Sequence, residues 1–380
     1  MFRSAINSIT PAMAKDIELV SPPPDSVSKI AFSPTQDILA VASWDNNVRL
    51  YEVNSQGQSQ AKAMYAHQAP VLDLDWSTSG QHLFSAGCDN AVQMYDISTG
   101  QNQQVAQHDA PIKCVRYLDM NGGMIATASW DKTLKYWDLR SPQPVGTVQL
   151  AGKALSMDTE GKLLVVAGGN RQIHLLNLDQ PMSIWKTIES PLKWQTRVVS
   201  CFPTMPGQKP DEQAYAIGSV EGRVAIQFPF VDEIKAPKNN YSFKCHRYDI
   251  PVGSMSGTPA TSGSQNVFAV NTIDFHKVHG TFCTGGSDGS LTVWDGFGRT
   301  KVKPFSLKDL NNGDSDAKPP QFGVPIVSTS FNRTQEILAY AFSYDWSKGH
   351  SGVPPAGQNT TRIMLHPVKP EEVQKKNKTR

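Results

Sequence analysis

Cysteine and histidine stand side by side at Cys245 and His246, in FKCHR, so a metal centre is the first chemistry to test for. Zinc takes four Cys or His ligands, typically at short regular spacings such as C-x2-C and H-x3-H. The nine histidines and five cysteines show no such pair, so Cys245 and His246 read as part of a strand rather than as ligands. Glycine-rich runs could instead cradle phosphate, but AGGN at 167–170 and GGSDGS at 285–290 coincide with turns that need small residues anyway. The sequence has no P-loop, dinucleotide fingerprint, G-x-S-x-G elbow or H-E-x-x-H. The expectation is therefore a non-enzymatic chain with no catalytic residue, metal, cofactor or small-molecule substrate.

What remains is the chemistry of contact, carried by aromatic and cationic residues, and a repeat decides where these sit. Segments 67–100 and 108–141 align without a gap, each reading histidine, strand, turn, strand, acidic turn, strand. ILAVASWDNNVRLYEV matches MIATASWDKTLKYWDL, and FCTGGSDGSLTVWDGF repeats the pattern at 282–297. Asp45, Asp89 and Asp131 are 44 and 42 residues apart, the period of a propeller blade. Strands alternate apolar and polar residues, and each turn acid is followed by Asn, Lys or Gly, as a tight hairpin requires.

Further repeats fall at 151–181, where Asn170 replaces the acid, at 197–232 with Glu221, and at 270–299 with Asp288. The last, 325–368, lacks a fourth strand, and KDIELV at 15–20 is a spare strand that would close the ring. The expected fold is all-β, a seven-bladed β-propeller over 15–368, with a flexible N-terminus at 1–14 and a basic flexible tail at 369–380. The polar stretches 248–268 and 307–323 are longer than a blade needs, and read as disordered or as lying over one face. The first residues show no signal-like apolar run and no stretch is long enough to cross a membrane, which points to a soluble intracellular chain without a membrane partner.

Overall charge is +2, yet 1–180 hold 13 Lys and Arg against 17 acids while 181–380 hold 23 against 17. The second half thus suits an acidic partner.

His108, Thr127, Asp131 and Trp137 stand at offsets that resemble the WD-repeat family, as do His67, Ser85, Asp89 and Tyr95. The resemblance implies a buried relay from His to Asp and from Ser or Thr to Trp, a structural role. HDAPIK at 108–113, SVEGRVAIQF at 219–228, SFKCHR at 242–247 and AVNTIDFHKVHGTF at 269–282 resemble one branch, the messenger-RNA export propellers of the nuclear pore and the related mitotic-checkpoint propellers of the budding-uninhibited group. IESPLKWQTR at 188–197, SYDWSKGH at 343–350 and RTKVK at 299–303 favour the export branch.

That resemblance implies a scaffold in the nucleus and nuclear envelope, also cytoplasmic, that grips the GLEBS segment of an FG-nucleoporin. The segment would lie over the face of the b-to-c turns, its acids meeting basic residues. The matching positions are Trp44, Trp130 and Arg223. Exposed indoles on hairpin tips serve as anchors, although each could instead pack on a neighbouring turn. The guanidinium suits a carboxylate, although Glu221 could pair with it. A second candidate site, for single-stranded RNA or messenger ribonucleoprotein, comprises Phe243, Lys244, His246, Arg247, Trp294, Arg299, Lys301 and Lys303, where aromatics stack bases and cations meet phosphate. Trp294 also fits the relay position of its own repeat. Mitotic-checkpoint proteins are the alternative partners, and a ubiquitin-ligase substrate receptor or chromatin adaptor is the alternative class.

Overall fold

The computed structural model describes residues 15–208, 213–230, 240–249, 264–310, 322–355 and 360–375. Within them seven four-stranded antiparallel sheets follow one another along the chain. Blades one to six occupy 27–66, 71–107, 112–149, 154–189, 196–244 and 270–305, and the first strands of successive blades touch around a central channel. In each blade the strands are designated a to d from the channel outward.

Alternation on the strands explains this arrangement. Every blade is flanked by two others, so b strands such as Ile38–Ser43, Met124–Ser129 and Ile337–Phe342 are buried along their whole length and are built from small and β-branched or aromatic residues. The d strands face solvent and turn polar, as in Asn102–Gln107. Seven apolar clusters result, one at each interface between blades, for example Leu83 with Leu50 between blades one and two. All seven a strands carry a register shift near their start, at Val27/Lys29, Val71/Asp73, Ile112/Cys114, Ala154/Ser156, Thr196/Val198, Val270/Thr272 and Ile326/Ser328. Such bulges sharpen local twist and let narrow inner strands fan into wide outer ones.

The b-to-c turns place a left-handed residue directly after the acid. Asn46, Asn90, Lys132, Gly222 and Gly289 all have positive φ, which Asn and Gly tolerate and which hairpin turns require. In the degenerate fourth repeat Asn170 and Arg171 both take that conformation.

The ring closes as expected. Ile17–Glu18 pairs antiparallel with Arg362–Pro367, giving blade seven its fourth strand. The expectation of a flexible tail from Lys369 needs correction: Pro370–Val373 is a helical turn whose Glu372 and Val373 are buried. Thr281 Oγ1 donates to the Val373 carbonyl at 2.7 Å, and His366 draws both ends of the chain together through Asp16 at 2.7 Å and Glu372 at 3.0 Å. A charge count alone hid this, because one buried valine and one paired glutamate outweigh the lysines around them. Residues 376–380 and 1–14 lie outside the described residues. So does most of 248–268 and 307–323, but the ends of the first pair as a ribbon, Arg247–Asp249 with Gln265–Val267.

A pH effect follows from the His366 clasp. Burial would lower its imidazole, but hydrogen bonds to Asp16 and Glu372 and the charges of both raise it from 6.5 to about 9. The stabilisation is complete below about pH 6.5, where folded and unfolded chains both hold the proton, and is lost as pH rises through about 9. We expect the parent to lose about 2 kcal/mol relative to His366→Gln between pH 7 and 10 in urea melts. Parallel pH curves for the two proteins would show that the clasp is not charged.

Candidate docking and nucleic-acid surfaces

The most catalytic-looking geometry in the molecule is buried. In blade three Trp137 Nε1 donates to Thr127 Oγ1 at 2.8 Å, Thr127 meets His108 Nε2 at 2.7 Å, and His108 Nδ1 meets Asp131 Oδ2 at 2.7 Å. Burial holds the His108 imidazole below its ordinary value against the opposing pull of Asp131. A neutral ring then donates from Nδ1 to the carboxylate and accepts from the threonine hydroxyl. Burial also tends to raise Asp131, but hydrogen bonds from Thr133 and His108 outweigh it and keep the carboxyl low.

In blade two Ser85, His67 and Asp89 have the connectivity of a hydrolase triad, at 2.7 and 2.8 Å. Ser85 is 0% exposed, so no substrate reaches its hydroxyl. Here the tyrosine in the tryptophan position, Tyr95, does not supply the donor. Tyr65 of blade one, stacked on Tyr95 at 4.9 Å, donates to Ser85 Oγ at 2.9 Å instead.

A third relay corrects two members of the candidate nucleic-acid site. His246 meets Asp288 at 2.9 Å and Thr284 at 3.0 Å, and Trp294 Nε1 donates to Thr284 at 3.0 Å. His246 and Trp294 are buried, so neither offers a ring for a base to stack on. Phe243 is half-buried and packs on Trp294 at 4.6 Å, and Arg247 is bonded to Glu221 at 3.3 Å.

Lys244 and Lys301 remain exposed, with Lys303 half-buried. RTKVK forms the d strand of blade six, Thr300–Phe305, and FKCHR ends the d strand of blade five, Tyr241–Lys244. The RTKVK cluster reaches the d strand of blade five. Arg299 lies 4.5 Å from the Tyr241 ring and Lys301 Nζ 5.4 Å from the Trp294 ring, so cations lie over the seam between the blades. Below that seam Phe228, Tyr241, Phe297, Arg299 and Lys375 line a cleft of about 520 Å³. Phe297 and Lys375 were not singled out from the sequence; an aromatic in the tight DGFGR turn was the available signal.

Trp44, Trp130 and Arg223 stand on or beside the b-to-c turns of blades one, three and five, all at one end of the ring. Trp44 stacks on Trp346 with ring centroids 4.6 Å apart, and Lys153 lies 5.8 Å from the Trp130 ring. Both tryptophans are half-buried. Arg223 Nε is 3.9 Å from Glu221, too long for a hydrogen bond, and its side chain keeps 30% exposure. Trp346 belongs to SYDWSKGH, a run notable in sequence only for resemblance; its pairing with Trp44 across the blade-seven seam has no local signal.

The central channel, about 430 Å³, is lined by charges of both signs. Arg116 bridges Asp73 at 2.7 Å and Asp158 at 3.0 Å. Burial lifts Asp75 and Asp274 to about 6, a shift that often marks a reactive site. Each instead accepts a main-chain N–H of the next blade, from Tyr117 at 2.7 Å and Phe331 at 2.8 Å, so they join blades. Among the described residues no group of three or more His, Cys, Asp or Glu could hold a metal ion.

Comparison with known proteins bears on the surfaces just described. The family model "Anaphase-promoting complex subunit 4 WD40 domain" matches residues 30–120, and "WD domain, G-beta repeat" matches 257–295. The chain is 44% identical to the mRNA export factor GLE2 of Chaetomium thermophilum, over 95% of this chain and 92% of that protein. It is 43% identical to the Poly(A)+ RNA export protein of Schizosaccharomyces pombe, over 99% and 97%. Against Protein Rae1 of Drosophila melanogaster the identity is 41%, over 90% and 91%.

Proposed function

Because this chain belongs to the family of WD-repeat messenger-RNA export factors, we propose that it is a non-enzymatic scaffold that docks the GLEBS segment of an FG-nucleoporin and so holds messenger ribonucleoprotein at the nuclear pore. The observation that carries this reading is the convergence of Trp44, Trp130 and Arg223 on one end of the ring, each partly exposed there and none a member of the relays. Indole and guanidinium groups are the side chains from which binding hot spots are most often built. The propeller acts as one unit, working in the nucleus and nuclear envelope and reaching the cytoplasm with its cargo. Photo-crosslinking from position 130 in cells tests the partner: a nucleoporin in the adduct supports the reading, and a checkpoint kinase in its place contradicts it.

Direct contact with single-stranded RNA is the second part of the proposal, favoured by the placement of Arg299 and Lys301 over aromatic rings at the seam between blades five and six. Phosphate contact without base reading is expected, since cations track the backbone while no recognition helix is present among the described residues. Changing Arg299, Lys301 and Lys303 together to Ala should reduce the slope of log affinity against log salt for an oligo(U) by about one unit for each residue that meets phosphate. Equal slopes for parent and variant would remove this site.

A further inference from the structure

Over blade five the b-to-c face exposes more apolar surface than the three docking residues account for. Trp194, on the loop entering that blade, is 55% exposed, the most of any tryptophan among the described residues. Val220 lies next to this loop, because its N–H donates to the Gln195 carbonyl at 3.1 Å, and it is exposed as well. From there the turn runs through Glu221 and Gly222, both bonded to Arg247 at 3.3 Å, and Arg247 leads to the exposed Tyr248. The outcome is a strip of Trp194 and Val220, with Lys193 and Arg223 along it. Lys193 Nζ is 5.9 Å from the Trp194 ring.

The loop that presents Trp194 is pinned. Ser190 N–H donates to the Arg171 carbonyl at 2.7 Å, Leu192 is buried with its N–H on Ser190 Oγ at 3.2 Å, and Gln195 Nε2 reaches the Gly168 and Thr196 carbonyls at 3.3 Å. A fixed loop has little freedom left to lose when a partner arrives. A rigid, exposed indole flanked by cations is the composition of a binding hot spot, and water-exposed apolar strips of this kind mark interaction surfaces.

We infer that Trp194 is the principal aromatic anchor of this face, receiving an apolar side chain of an extended acidic segment whose carboxylates meet Lys193 and Arg223. The inference rests on the reading that this face docks a GLEBS segment. A protein fits the strip better than a nucleic acid does, because the exposed aliphatic Val220 beside the indole suits an apolar side chain and offers nothing to phosphate.

The test titrates a fluorescein-labelled nucleoporin GLEBS peptide into the full chain and into Trp194→Ala, Trp194→Phe, Trp44→Ala and Arg223→Ala, with thermal midpoints taken in parallel. Trp194→Ala should weaken binding about 30-fold, more than Trp44→Ala does, with the midpoint unchanged and with Trp194→Phe restoring most of the affinity. Parental affinity in Trp194→Ala with a loss in Arg223→Ala would overturn the anchor while leaving the docking reading in place. A parent chain that ignores the peptide would remove the docking reading and the anchor with it. An oligo(U) that displaces the peptide and itself binds more weakly to Trp194→Ala would assign the strip to nucleic acid and overturn the proposal.

Discussion

Asp288→Ala is expected to destabilise the propeller by about 3 to 5 kcal/mol, because it strips a buried hydrogen-bonding centre of its acceptor. The Asp288 carboxylate takes His246 at 2.9 Å, the Ser290 hydroxyl at 2.7 Å and the Tyr248 hydroxyl at 2.7 Å, and its side chain is fully buried. Alanine leaves the buried His246 imidazole and the buried Ser290 hydroxyl without their acceptor. The cost should exceed that of Asp131→Ala, since Asp131 keeps slight exposure and serves fewer side chains. Urea melts of both variants, with Asp288→Asn as the variant of matched shape, measure this directly. A loss under about 1 kcal/mol for Asp288→Ala would mean that the relay is not a stability element. The same experiment separates structure from catalysis, because a relay that did chemistry would lose turnover while keeping its fold.

Arg223→Ala should weaken nucleoporin-segment binding by about 2 to 5 kcal/mol, the range for removing one partner of a charge pair that docking buries. Among the described residues the Arg223 guanidinium has a distant acidic neighbour in Glu221, at 3.9 Å, and Glu221 is also served by Arg247 at 3.3 Å. Arg223 is thus held in place without being used up, and an incoming carboxylate can take its donor edge. Arg223→Lys should recover part of the loss but not the forked geometry. Calorimetry with the segment carries the comparison, and folding stability should stay within about 0.5 kcal/mol of the parent. Equal affinities for parent and Arg223→Ala would place the acidic contacts elsewhere.

The ring was legible because its signals are local and repeated. Turn acids at near-constant spacing, each followed by a residue able to adopt positive φ, fix blade after blade, and the strand short in the last repeat is supplied by Ile17–Glu18. Legibility fails where a partner comes from another blade. His67 and His108 precede their acids by 22 and 23 residues, but His246 precedes Asp288 by 42, since the long insertion after Asp249 separates them. That gap concealed the place of His246 in the third relay, whereas Trp294 already fitted the relay position of its own repeat. Tyr65 reaching Ser85 from the preceding blade and Trp346 stacking on Trp44 are likewise contacts between elements that no single repeat encodes. Exposure was the least readable property. Phe243 and Trp194 are both aromatics beside lysines, yet one packs on Trp294 and the other stands in solvent.

The central claim is that the b-to-c face docks a nucleoporin segment, and one titration tests it most directly. A labelled GLEBS peptide is followed by anisotropy against the parent chain and a variant with Trp44, Trp130 and Arg223 all changed to Ala, at one fixed salt concentration. The account predicts saturable binding by the parent and loss of at least 100-fold, about 2.7 kcal/mol, in the variant, with both proteins folded and melting cooperatively. Undiminished binding by the triple variant would contradict it.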